Sequence, residues 1–159
     1  MSEKFTFEDF LNDVELENKA ASQKMHDSMM AGGYKATIEK KASGLLISYK
    51  HPKTKRAILN LFFRKGGLQV RIYGENHKGY ADFIDKLPET MEAQINKATQ
   101  CKRFDPIPGC SPKCLGYDIT IRGNRYTKCR YSCFHFEVNE KNFPVIYELI
   151  ELEKKERGQ

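Results

Sequence analysis

The spacing of hydrophobic residues changes twice along this chain, and each change predicts a different kind of secondary structure. Over roughly the first 30 residues, apolar side chains recur every three or four positions, which is typical of an amphipathic helix. Thr6 and Asp9 form a capping-box pattern ahead of the first apolar residues. We therefore predict a long helix that begins near Phe7, ends at Gly32-Gly33 and has a potential break at Glu15.

The hydrophobic period then falls to two, which predicts β-strands. Four strands are expected, separated by turns at Pro52–Lys55 and Lys65–Gly67 and lying at residues 34–40, 44–51, 56–64 and 68–73. In the last of these strands the apolar residues alternate with polar ones. The pattern indicates an antiparallel meander with one polar face.

The second half of the chain mixes both periods. Helical spacing predicts helices over residues 77–87, 88–99 and 143–156, the last of them after a capping Asn142. Alternating spacing predicts strands over residues 117–122, 125–130 and 134–138, the first two joined by a turn at Gly123-Asn124.

These elements predict an α+β fold with two layers, in which an antiparallel sheet of about 5 to 7 strands carries helices mainly on one face. A length of 159 residues suits a single domain with a substantial core. We divide that domain into an N-terminal helix, a meander with a helix pair, a cysteine-bearing loop with a hairpin, and a C-terminal helix, at residues 1–33, 34–100, 101–138 and 139–159.

No apolar run approaches the roughly 20 residues that span a bilayer, so no membrane segment is predicted. The first residues are acidic, whereas an export signal begins with positive charge and continues with an apolar run. We therefore expect a cytoplasmic protein.

Positive charge is concentrated in the predicted strands. The net charge is +6, but residues 34–78 hold 11 basic and 2 acidic side chains, and residues 97–130 hold 8 and 2. If all of the strands share one sheet, that sheet has an electropositive face that attracts anionic partners.

Four candidate ligand-binding residues follow from this face, because cations alternate there with aromatic rings as they do in single-stranded nucleic-acid platforms. They are Lys50, Arg71, Tyr73 and Arg122. A solvated sheet face has a similar composition, so an anionic small ligand, a nucleic acid and a protein partner all stay open. The oligomeric state is left open as well.

All five cysteines lie between Cys101 and Cys133, within a segment rich in proline and glycine. In a reducing compartment such a cluster favours metal binding or redox chemistry over structural disulfides. Two Cys-x3-Cys pairs flank the predicted hairpin, which is the outline of a structural zinc site, although zinc ribbons and knuckles generally place two residues between paired cysteines. The alternatives are inert buried thiols, a redox or disulfide centre and an iron–sulfur cluster.

Geometry selects four ligands from the five cysteines. If the segment between the last two cysteines were extended, they would lie roughly 13 Å apart, too far for one ion to bridge. We therefore predict zinc ligation by Cys101, Cys110, Cys114 and Cys129. Cys133 is the spare thiol, or an alternative ligand if the backbone coils between it and Cys129.

Phosphate-binding glycine motifs and the His-Glu-x-x-His zinc motif do not occur in the sequence. The sequence thus favours a non-enzymatic binding or regulatory module with a structural four-cysteine zinc site. One alternative is a thiol-dependent redox sensor that uses Cys133 or the same cluster. The other is a nucleic-acid-binding protein that uses the basic aromatic sheet face.

Two stretches carry a resemblance to known families. The segment GLLISYKHPKTKRAILNLFFRKGGLQVRIYG, with the helix pair ending at LPETMEAQI, resembles the core of small bacterial domains of the YdhG-like, DUF5655-like and DUF3788-like kind. The segment CKRFDPIPGCSPKCLGYDITIRGNRYTKCR resembles the cysteine-bearing ends of Firmicutes proteins. The resemblance implies a two-layer α+β fold in a bacterial cytosol, without an activity.

Overall fold

The computed structural model describes residues 4–65, 67–101 and 116–159. Within these ranges the chain forms five α-helices, a five-stranded antiparallel sheet and a two-stranded antiparallel sheet. The predicted α+β class is therefore confirmed. The predicted proline-rich and glycine-rich loop lies largely outside the described residues, as do Cys110 and Cys114.

The helices follow the predicted positions closely. They are α1 (Phe7–Asp13), α2 (Leu16–Ala31), α3 (Ala81–Ile84), α4 (Glu89–Lys97) and α5 (Phe143–Glu156), with a 3-10 turn at His77–Tyr80 before α3. The capping box is present, since the Thr6 amide donates to Asp9 Oδ2 at 2.8 Å and the Asp9 amide donates to Thr6 Oγ1 at 3.2 Å. The expected break falls between α1 and α2, at Val14 and Glu15.

The strands are β1 (Lys35–Lys41), β2 (Gly44–Lys50), β3 (Ala57–Arg64), β4 (Gly67–Ile72), β5 (Tyr117–Ile121), β6 (Asn124–Lys128) and β7 (His135–Glu137). The large sheet has the order β1-β2-β3-β4-β7. The chain thus returns after the hairpin of β5 and β6 to add β7 beside β4. As a result β4 lies in the interior of the sheet, as β2 and β3 do.

One face of the large sheet is apolar and carries the helices. Its cross-strand pairs include Ile47 with Leu61 and Val70 with Phe136. Helix α1 contacts this face through Phe10, whose ring centroid lies 5.0 Å from that of Phe63. These side chains belong to one buried hydrophobic cluster, which also includes residues of the small sheet. The opposite face of the large sheet is polar, and we call it the open face.

The predicted strands do not all share one sheet, because β5 and β6 form a separate hairpin. Its turn residues are Arg122 and Gly123, one position earlier than predicted, with φ of 47° and 83°. Two successive positive φ angles are the geometry of the two-residue turns that match strand twist. Arg122 therefore lies at the tip of the hairpin rather than on the large sheet.

The end of α4 is tied to this hairpin. Lys128 of β6 donates from Nζ to the carbonyl oxygens of Asn96 and Ala98, at 3.0 and 3.1 Å. These carbonyls lack intrahelical donors, so the ammonium group stabilises the helix end. None of the helices within the described ranges is long and apolar enough to cross a membrane.

Candidate functional site

A row of polar side chains crosses the open face from strand to strand. In the register of the sheet, Ser48 pairs with Asn60, Asn60 with Arg71, and Arg71 with His135. Residues that pair across strands project from the same face of a sheet. The fold therefore brings together four residues that are far apart in the sequence.

Asn60 is the centre of this row. It is buried, and its Nδ2 donates to Ser48 Oγ at 2.9 Å. Its Oδ1 accepts from the hydroxyl of Tyr73 at 2.7 Å and from Nη1 of Arg71 at 3.5 Å. Burial of an amide group is unfavourable unless the group is hydrogen-bonded, so the fold maintains these contacts, and they fix the positions of Tyr73 and Arg71.

A cavity of about 360 Å³ opens beside Arg71, and we call it the Arg71 cavity. The sheet, the end of α4 and the segment before β7 supply its lining residues, which are Arg64, Gln69, Arg71, Gln94, Lys97, Ala98, Thr99, Tyr131, Ser132 and His135. Three of these residues are Lys or Arg, and none is Asp or Glu. The lining therefore has a net positive charge.

The guanidinium group of Arg71 is held by an aromatic ring rather than by a carboxylate. Its Cζ lies 5.0 Å from the ring centroid of Phe62, whose centroid is also 5.0 Å from that of His135. Among the described residues, its buried Nε has no hydrogen-bond partner. A buried donor without a partner is costly, so this atom is a candidate contact for a bound acceptor.

His135 is uncharged in this cavity at neutral pH. Partial burial, with the positive charges of Arg64 and Arg71, lowers its pKa to about 4. Each of these effects disfavours the protonated imidazolium form. A neutral imidazole offers one donor and one acceptor nitrogen beside the two arginines.

A second cavity, of about 390 Å³, lies at the other end of the open face, and we call it the Tyr73 cavity. It is lined by Lys50, Lys55, Arg56, Ala57, Tyr73, Glu75, Arg130 and Tyr131. Four of these residues are cationic and one is acidic. Tyr131 lines both cavities, so the two sites adjoin each other.

Glu75, the acidic residue of the Tyr73 cavity, is shared among three arginines. Its carboxylate oxygens lie 2.7 Å from Arg130, 3.1 Å from Arg56 and 3.8 Å from Arg157. Arg157 is paired more closely with Glu153, at 2.6 Å, but Glu75 alone cannot neutralise both Arg56 and Arg130. The cavity therefore keeps a positive field, although its arginines are anchored.

The structure brings together three of the four predicted ligand-binding residues. Lys50 and Tyr73 line the Tyr73 cavity, and Arg71 lines the adjoining one. Arg122 lines neither cavity. Its guanidinium donates to the Leu87 carbonyl and to Glu92, each at 2.5 Å, and thereby links the hairpin tip to α4.

Two of the predicted zinc ligands lie on hydrogen-bonded neighbouring segments. The Cys101 amide donates to the Thr127 carbonyl at 3.0 Å, and the Cys129 amide donates to the Thr99 carbonyl at 2.8 Å. This register makes the two cysteines diagonal neighbours, whose Cα atoms lie about 7 to 8 Å apart in such pairs. Two thiolates at this spacing fit a shared tetrahedral ion.

Cys133 is closer to Cys129 than an extended chain would place it. The amides of Ser132 and Cys133 both donate to the Cys129 carbonyl, at 3.1 and 2.9 Å, so the backbone coils into one turn there. The distance argument against Cys133 as a ligand therefore does not hold. Within residues 4–65, 67–101 and 116–159, however, no group of three Cys, His, Asp or Glu side chains is placed to hold a metal.

Cys133 is fully buried in the hydrophobic cluster. Burial raises the pKa of its thiol well above the ordinary range, although the positive charge of Lys128 acts in the opposite direction. A redox sensor reacts through an exposed thiolate. The surroundings of Cys133 disfavour such a thiolate.

Three important residues were not among the predicted site residues. Arg64 and Lys97 reach the Arg71 cavity only through strand register and the placement of α4. Asn60 did carry a signal, because it interrupts the apolar run AILNLFF of β3. A polar residue inside a buried strand is usually hydrogen-bonded, and here its partners are functional candidates.

The chain was compared with models of protein families, with curated proteins and with solved structures, and no match was found. The resemblance noted in the sequence therefore stays a prediction. What can be said about function rests on the two cavities and on the cysteines.

Proposed function

We propose that this protein is a non-enzymatic binding module that takes an anionic ligand on the open face of its large sheet. The observation that carries the proposal is the Arg71 cavity, whose described lining has three cations and no carboxylate. Among the described lining residues, an anion placed there would meet charges of one sign only. Arg71 is partly buried, and a cation that is partly withdrawn from water attracts an anion more strongly than a fully solvated one does.

The chemistry of the donors favours a phosphate or carboxylate group. A guanidinium presents parallel N–H donors in a planar fork, which matches two oxygens of such a group. The Phe62 ring holds the Arg71 guanidinium in place before any ligand arrives. Preorganisation of this kind lowers the entropic cost of binding.

The same groups support binding rather than proton transfer. Arginine stays protonated throughout the physiological range. With a pKa of about 4, His135 is a poor general acid near neutral pH. We therefore propose a receptor that binds an anion and does not transform it.

Titration of the labelled protein with pyrophosphate, followed by NMR, tests this proposal. We expect amide shifts confined to the Arg71 cavity, and a loss of affinity of at least about tenfold in Arg71→Gln. The matched control is Arg125→Gln, because Arg125 is exposed, pairs with Asp118 and lines neither cavity. Equal loss in both variants, or no binding by the natural protein, would contradict the proposal.

The structural zinc site is a second part of the proposal. It is supported by the diagonal placement of Cys101 and Cys129, with the remaining two predicted ligands, Cys110 and Cys114, outside the described residues. A bound zinc ion would tie the segment after α4 to β6. The proposed role of the metal is to stabilise the fold, because a four-cysteine site is closed to substrates.

A further inference from the structure

We infer that the ligand is a single-stranded nucleic acid, whose phosphates occupy the two cavities while a base stacks on Tyr131. This inference rests on the proposed anion-binding function and deepens it. It starts from the position of Tyr131, which is the residue common to both cavities.

The positive charges are spread over two adjoining cavities of the open face rather than confined to one site. The Arg71 cavity contributes three Lys or Arg residues and the Tyr73 cavity contributes four, so the described lining residues include seven cations and one acidic residue, Glu75. A small anion needs only one such cavity. Two adjoining cationic cavities instead match a polymer that repeats its negative charge at regular intervals.

Tyr131 is presented to solvent, and 53% of its surface is exposed. An exposed tyrosine ring between two cationic cavities has the arrangement of a stacking platform, in which phosphates lie on either side of a stacked base. Arginine and lysine are attracted to the phosphates whatever the base is. The described contacts therefore predict binding with little sequence preference.

The ring of Tyr131 is also preorganised. Its centroid lies 6.0 Å from that of Tyr73, with the two planes at 86°, and 5.4 Å from Cζ of Arg130. Arg130 is itself held by Glu75 at 2.7 Å. A ring supported by two neighbours loses little further freedom on stacking, which favours affinity.

A duplex does not satisfy this arrangement, because its bases are already stacked on each other and paired. A single strand can turn one base onto Tyr131 while its backbone follows the cations. The inference therefore predicts discrimination between single and double strands, whereas a simple basic patch would bind a duplex through its phosphates.

The first experiment measures binding of a fluorescein-labelled twelve-nucleotide oligothymidylate by fluorescence anisotropy. We compare the natural protein with Tyr131→Ala, Tyr131→Phe and the control Tyr147→Ala, because Tyr147 lies on α5 and lines neither cavity. Tyr131→Ala should lose about tenfold in affinity, while Tyr131→Phe and Tyr147→Ala should lose less than about twofold. Thermal melts of each variant show whether it folds.

Salt dependence provides the second measurement. Two phosphates held in the two cavities predict a slope of about −1.4 or steeper when log affinity is plotted against log salt concentration. Arg71→Gln should make that slope shallower by about 0.7, and Arg125→Gln should leave it unchanged. A slope near zero would overturn the inference.

The possible failures are distinguishable. If pyrophosphate binds with Arg71 dependence but Tyr131→Ala binds the oligonucleotide as the natural protein does, the nucleic-acid inference is wrong and the anion-binding proposal stands. Equally tight binding of a duplex, independent of Tyr131, would also overturn the inference. If neither pyrophosphate nor the oligonucleotide binds, both proposals fall together.

Discussion

The hydroxyl of Tyr73 donates a hydrogen bond of 2.7 Å to the side-chain oxygen of Asn60. Asn60 lies in β3, where the residues before and after it in the sequence are apolar. Tyr73 lines one cationic cavity, and Asn60 pairs across the sheet with Arg71 of the other. The buried amide thus connects the two halves of the proposed site. It also makes the site depend on a residue that no ligand needs to touch.

Replacement of this amide should reduce stability and affinity together. Asn60→Ala leaves the Tyr73 hydroxyl without its acceptor, so we expect the free energy of unfolding to fall by about 1 to 3 kcal/mol. Urea denaturation measures this loss. The double variant with Tyr73→Phe should be less destabilised than the sum of the single variants, since both lose one shared bond. Strict additivity would contradict the coupling.

Acid should weaken the fold through His135. The unfolded imidazole takes up a proton near pH 6.5, but the folded one does so only near pH 4. Between these values the unfolded state binds more protons, so stability falls as the pH falls. Because the side chain is only partly buried and solvent screens the neighbouring charges, we discount the effect to about 1 kcal/mol.

Denaturation at pH 7 and pH 4.5 checks this prediction. His135→Gln should lose less stability over that interval than the natural protein does. Burial also lowers the pKa of His26 and His77, so these residues contribute a background slope in both proteins. Only the difference between the two proteins reports on His135. An identical loss of stability in both proteins would contradict the lowered pKa of His135.

Glu153 should be among the most sensitive residues of α5. It is fully buried, and its oxygens accept from the Tyr80 hydroxyl at 2.7 Å, from Asn76 Nδ2 at 2.9 Å and from Arg157 Nε at 2.6 Å. Glu153→Ala leaves Arg157 without this buried partner, so we expect a loss of about 3 to 5 kcal/mol. Glu148→Ala, on the exposed side of the same helix, should cost less than about 0.5 kcal/mol in the same thermal or urea assay.

Elemental analysis tests the proposed zinc site, on protein purified without chelators or metal-affinity steps. We expect about one zinc per chain. Cys101→Ser and Cys129→Ser should each lose the metal, whereas Cys133→Ala should keep it if the spare-thiol assignment is right.

Zinc content and thiol titration of these variants together separate the remaining outcomes for the cysteines. Retention of zinc by Cys101→Ser together with its loss in Cys133→Ala would exchange the roles of these two residues. Absence of metal from the natural protein, with several rapidly reacting thiols, would replace the zinc proposal with the redox alternative.

The sequence patterns predicted the positions of the helices well, because interactions between residues close in sequence decide where a helix begins and ends. The C-terminal helix spans residues 143–156 in both the prediction and the structure, since its 3.6-residue apolar period is a strong signal. The capping box at Thr6 is another example. The predicted capping role of Asn142 is wrong, because its side chain makes no cap hydrogen bond and Nδ2 donates to the Glu137 carbonyl at 3.1 Å instead.

What the sequence did not predict depends on contacts between distant segments. Alternating residues identified β5 and β6 as strands but not as a separate sheet, because alternation carries no information about the neighbouring strand. The Arg71 cavity could not be predicted for the same reason, since Arg64, Arg71 and His135 meet only through the register of β3, β4 and β7.

The position of Tyr131 offers an optical consequence. The chain has no tryptophan, so Tyr131→Trp would introduce a single indole at the junction of the two cavities. Its emission could be excited selectively against the background of the seven remaining tyrosines. The ring that is proposed to carry a stacked base would thus become an unambiguous reporter of its own occupancy.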